Sequence, residues 1–131
     1  MSSFAFSVPA RGDFATTVTQ VTEALAAEGF GVLSTIDVAA TLKAKLGLEK
    51  KPYLILGACN PQFAHQALEA DPDIGALLPC NVVVRVDDDD KVSVVFMDPA
   101  AVLGMVDKAA IDTLGAEVRE KLKRVAHAVS A

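Results

Sequence analysis

The chain contains no tryptophan and a single tyrosine among its 131 residues, and aromatic side chains make up only 5% of it. A sequence this poor in flat rings offers no stacking platform for bases or sugars. Basic residues are also scarce: 12 Lys and Arg stand against 17 Asp and Glu, leave a net charge of -5, and form no stripe. Coulomb steering towards nucleic acid or an anionic membrane is therefore unfavourable, and neither is expected as a partner. No apolar run approaches the roughly 20 residues that a membrane span requires. The opening Met1-Ser2-Ser3-Phe4-Ala5-Phe6 lacks the basic and long apolar regions of a signal peptide, so a cytoplasmic protein is expected. Its two cysteines are then expected to be free thiols rather than a structural bridge.

What the chain does have is apolar substance. Hydrophobic residues make up 52% and charged residues 22%, a balance that excludes a disordered chain and supports a real core. No linker, repeat or low-complexity tract divides it, so one domain over residues 1–131 is expected.

Periodicity orders the elements. Phe4, Phe6 and Val8 alternate as a short strand, and Asp13 caps a helix carrying Phe14, Val18, Val21 and Leu25 that Gly29 ends. Phe30 to Ile36 reads as a second strand. Asp37 caps a shorter helix with Val38, Leu42 and Leu46, stopped at Gly47. Tyr53 to Ala58 is a third strand, and Asn60-Pro61 starts a helix that ends before Asp71-Pro72. Val82 to Val86 and Val92 to Phe96 flank Asp87-Asp88-Asp89-Asp90-Lys91 as a hairpin. Asp98-Pro99 starts a mostly helical remainder, with Ile111, Leu114, Val118, Leu122 and Val125 on one stripe.

A tight hairpin is antiparallel, so the sheet is mainly antiparallel and at least mixed. The expected architecture is a two-layer α+β fold of about five strands with helices on one face. In the hairpin, Val82, Val84, Val86, Val92, Val94 and Phe96 share the parity that meets the helices. The other parity, Asn81, Val83, Arg85, Ser93, Val95 and Met97, is too apolar for a fully solvated face. A partner is expected to cover it, and a second copy of the chain is the simplest one.

The cysteines carry the chemical interest. Cys59-Asn60-Pro61 closes one apolar run, and Cys80-Asn81 opens the next behind Pro79. A thiol at a helix N-terminus is placed where the thiolate is favoured.

The segments Gly57-Ala58-Cys59-Asn60-Pro61, Leu78-Pro79-Cys80-Asn81-Val82-Val83-Val84 and Met97-Asp98-Pro99 together resemble the domain of unknown function 302 family, over roughly Phe14 to Val125. The Leu-Pro-Cys-Asn segment is the most specific part. The resemblance implies a small α+β fold similar to the TATA-binding-protein type, an antiparallel sheet backed by helices, and pairing of copies. It implies no activity.

Each candidate residue has a functional and a structural reading. Cys59 is a nucleophile, redox sensor or metal ligand, or else a small apolar residue at a strand end. Cys80 is its disulfide partner, or a soft-metal ligand together with Cys59 and His65. Strand parity opposes contact: Cys59 goes with Tyr53, Ile55 and Gly57, Cys80 with Val82 and Val84. Asn60 reads first as a helix cap. Asn81 is a ligand-orienting amide or a strand-start residue. His65 and His127 read as surface or structural histidines.

The acidic run Asp87 to Asp90 lacks the spacing, glycine and terminal Glu of a calcium loop, and reads as a solvated turn. Gly29-Phe30-Gly31 matches no phosphate loop, and no G-x-S-x-G elbow exists. No cofactor and no metal site is established.

The leading expectation is a non-catalytic module that binds or senses a small molecule, a soft metal or an oxidising sulfur species, in a pocket of Cys59, Asn60, Cys80 and Asn81. The alternatives are a thiol enzyme, with Cys59 as nucleophile and Cys80 resolving, and a purely structural dimeric interaction domain.

Overall fold

The structure, a computed structural model, describes residues 2–131. In chain order it runs β1 (Ala5–Pro9), α1 (Phe14–Ala27), β2 (Gly31–Asp37), α2 (Val38–Leu46), β3 (Tyr53–Cys59) and α3 (Pro61–Ala70). A 3-10 turn over Pro72–Leu77 leads to β4 (Cys80–Val86), β5 (Val92–Met97) and α4 (Pro99–Leu103). A second 3-10 turn, Gly104–Val106, precedes the long α5 (Ala109–Val129).

The helix starts follow from capping chemistry. The side chains of Asp13, Asp37, Asn60 and Asp98 each accept a hydrogen bond from a first-turn backbone N–H, satisfying donors that have no partner inside the helix. Pro61 and Pro99 occupy first-turn positions where the missing N–H is no loss. Pro72 does the same for the 3-10 turn, an element that the Asp71-Pro72 break did not foretell.

The five strands form one sheet in the order β1-β5-β4-β3-β2, and every neighbouring pair is antiparallel. No parallel pair therefore accompanies the hairpin. The reason lies in the connections: α2, and α3 with its 3-10 turn, each leave and rejoin the sheet at the same end. The first and last strands in this order, β1 and β2, are the edges. The C-terminus partly covers β1, through a bridge between Ala10 and Ser130 and the hydrogen bond from Ala131 N–H to the Pro9 carbonyl. The β2 edge carries a bulge between Val32 and Ser34, a device that discourages edge-to-edge pairing.

The core lies between one sheet face and the helices. Leu56, Ala58, Cys80, Val82, Val84, Val94 and Phe96 supply the sheet side, against Val21 and Leu25 of α1, Phe63 and Ala67 of α3, and the α5 stripe. Each large apolar side chain taken from water here stabilises the fold by about 1.5–3 kcal/mol. All five α5 residues expected on its stripe are buried, joined by Ala126 and Val129.

Two expectations change. The α2 stripe of Val38, Leu42 and Leu46 buries nothing: Leu46 is 66% exposed, and no α2 residue belongs to the core. Met97, expected on the open face, packs in part against the core, because it ends its strand. Val83 and Val95 stay half-buried on the face opposite the core.

Candidate functional site

Antiparallel pairing brings both cysteines to one end of the sheet. β3 ends at Cys59, the chain departs through α3, and it returns through a cis Leu78–Pro79 peptide to begin β4 at Cys80. Ala58 lies opposite Cys80 in the ladder. Cys59 and Cys80 thus stand on adjacent strands one residue out of register, a Cα separation of roughly 6 Å from strand spacing and rise. That is within the distance limit of about 7 Å for a disulfide, but side chains that leave opposite faces of a sheet cannot be bridged without backbone movement. Both are free thiols.

Strand parity holds, and Cys80 shares its face with buried Val82 and Val84 while Cys59 shares the other with Ile55 and Gly57. Even so, both line one cavity of about 380 Å³. The cavity sits at the end of the sheet rather than over either face, so residues of both parities reach it. β2 contributes Leu33 and Ser34, β3 Ala58 and Cys59, and α3 Phe63, Ala64 and Leu68. Asn60, Leu78, Pro79 and Cys80 complete the wall.

Exposure grades along that wall. Leu33, the bulge residue, is 73% exposed and Leu68 44%, whereas Phe63, Cys80 and Ala58 are buried. The first two form an apolar rim and the last three a floor.

Two glycines shape the site. A Cβ on Gly57 would meet the Ser34 hydroxyl and lie 3.0 Å from Pro79 Cγ, so glycine lets these two residues close over β3 without displacement. Gly29 takes a left-handed φ of 85°, and a Cβ there would lie 3.2 Å from Asn60 Nδ2. Asn60 itself is held by its cap, since its Oδ1 accepts from the Phe63 N–H at 3.3 Å.

The cavity is electrostatically bare, with no charged residue in its wall. Burial, and secondarily the neighbouring Cys59, push the Cys80 thiol up to about 12, so it is neutral at physiological pH. A buried neutral thiol is a small apolar residue with a weak donor.

Of the four residues expected to form the pocket, Cys59, Asn60 and Cys80 meet there. Asn81 does not: it lies opposite Gly57 in the ladder, is exposed, and belongs to the face away from the core. His65 is exposed on α3 and outside the cavity wall. Among the described residues no three His, Cys, Asp or Glu side chains gather where they can hold a metal, so the Cys59-Cys80-His65 set is not assembled. His127 is exposed near the end of α5.

The acidic run is a turn tied to its surroundings. Asp87 accepts from Arg85 Nε at 2.7 Å and from the Ser93 hydroxyl, and Lys51 Nζ donates to Asp90 at 2.6 Å. Leu33, Ser34, Phe63, Ala64, Leu68 and Leu78 were not foreseen as site residues. Only the bulge and the turn after α3 bring them together, and neither has a periodic signature.

The chain matches the family model described as Domain of unknown function DUF302 over residues 6–129, and it belongs to that family. It is also similar to the crystal structure of the uncharacterized conserved protein DUF302 from Bacillus stearothermophilus. The two are 29% identical with a TM-score of 0.90, over 98% of this chain and 99% of that one. No curated protein matches the chain. No helix among the described residues is long and apolar enough to cross a membrane.

Proposed function

We propose that this member of the family is a non-catalytic module that binds or senses a small molecule in the cavity lined by Cys59, Asn60 and Cys80. The observation that carries this reading is the cavity itself: about 380 Å³, within the range of about 300–1,000 Å³ typical of small-molecule sites. A thiol enzyme is the weaker reading. No His, Asp, Glu or Lys in the wall is placed to take a proton from Cys59, and Cys80 stays protonated at neutral pH. A soft metal would find two thiols and no third ligand, and would have to displace the proton from a buried one.

Reversible oxidation of the pair is likewise the weaker reading: the two side chains leave opposite faces of the sheet, and the buried, neutral Cys80 thiol is a poor resolving nucleophile.

We also propose a homodimer through the sheet face opposite the core. Val83 and Val95 are half-buried there, and Ile36 on the same face is 50% exposed. Two free thiols suit a reducing compartment, and we assign the protein to the cytoplasm.

The binding reading is tested by native mass spectrometry of protein purified from its own cells. Wild type is expected to carry a retained small molecule that the cavity-filling variant Ala64→Trp lacks. Equal retention by both proteins would remove the cavity from the account.

A further inference from the structure

We infer that the occupant of the cavity is an uncharged, largely hydrocarbon molecule, which passes between Leu33 and Leu68 and seats its body on Phe63, Ala58 and Cys80. This inference rests on the binding reading above and adds the chemical class of the ligand.

Three observations support it. First, no charged side chain lines the wall, and its polar side chains are few. The Asn60 oxygen caps α3, Ser34 stands against Gly57, and the remaining polar groups are two thiols. A carboxylate or ammonium would be stripped of water there with no opposite charge to meet it. Second, burial in this floor disfavours a negative charge, and it pushes the Cys80 thiol up to about 12. A ligand anion would face the same desolvation. Third, the rim is apolar, since Leu33 and Leu68 both line the cavity and stand exposed to solvent. An apolar ligand covers both as it enters.

The volume argues for a small molecule over a protein segment. A docking peptide would have to pair with the β2 edge, which the bulge between Val32 and Ser34 interrupts.

The test uses three chains of equal length, 1-hexanol, hexanoate and hexylammonium, each titrated into the full chain and followed by amide chemical shifts. Hexanol is expected to move the amides of Ala58, Phe63, Ala64 and Cys80, with both ions at least about ten-fold weaker. The exposed rim variant Leu68→Glu, which leaves the core intact, should weaken hexanol several-fold, and Ala64→Trp should abolish the response. Tighter binding of either ion in the cavity would overturn the ligand class and leave the binding reading standing. Silence of the cavity amides to all three would overturn both. Movement of those amides on raising protein concentration alone would assign the cavity to a second copy of the chain and overturn the inference.

Discussion

The Ser34 hydroxyl stands over Gly57, in the space that a Cβ on any other residue would occupy. This contact joins the β2 bulge to β3 and, with Pro79 on the other side, closes one wall of the cavity. Gly57 is thus favoured by what lies over it rather than by its backbone angles.

Gly57→Ala should therefore destabilise the fold by about 1–3 kcal/mol, the usual consequence of overpacking. Adding Ser34→Ala removes the closest atom and should recover part of the loss, leaving the approach of Pro79. Guanidinium unfolding of the two single variants and the double variant measures the coupling. Additive effects would show that the two residues do not share this space.

Cys80 predicts a specific alkaline weakness. Its thiol ionises near 9.0 in the open chain and near 12 when folded. Below pH 9 both states hold the proton, and the site contributes no pH dependence. Between 9 and 12 only the folded state holds it, so stability falls with rising pH, by about 1.4 kcal/mol per unit. Cys80→Ala should lack that slope, and the difference between wild type and variant cancels the titration of lysines. At neutral pH, alkylation followed by peptide mapping should label half-buried Cys59 first, and Cys80 no faster than the chain opens. Faster labelling of Cys80 would contradict the burial.

Much of this was legible in the chain. Caps at Asp13, Asp37, Asn60 and Asp98 are short-range chemistry, and each starts its helix as its residue type requires. Strand parity placed Val82, Val84, Val94 and Phe96 in the core and Cys59 and Cys80 on opposite faces. The same parity opposes contact between the two thiols and is silent on the cavity, because it describes the middle of a sheet. At the end of a sheet, where β3 stops and β4 starts, residues of both faces border one space. That Cys59 and Cys80 share an end follows from antiparallel pairing of β3 with β4, a long-range choice with no local signature. Asn81 shows the converse: adjacent to Cys80 in sequence, it is turned away from the cavity by the pleat. The α2 stripe had the right period, but a period does not say whether a face finds a core.

The dimer proposal predicts a clean substitution. A standard interface buries about 800 Å² on each partner, an area that an open face of five strands supplies. Val95 lies in that face, between Ser7 of β1 and Val83 of β4. Val95→Asp would bury an unpaired charge at a cost of several kcal/mol. The variant should sediment as a folded monomer where wild type sediments as a dimer. A wild-type monomer at micromolar concentration would leave the face to another occupant.

The central claim, that the end-of-sheet cavity is where this domain meets its ligand, is tested most directly by mapping. Amide chemical shifts of the labelled protein are recorded with and without the small-molecule extract of its own cells. Changes centred on Ala58, Cys59, Phe63, Ala64 and Cys80 are the expected result. Changes centred instead on Val83, Arg85 and Val95 would place the ligand on the open sheet face and contradict the account.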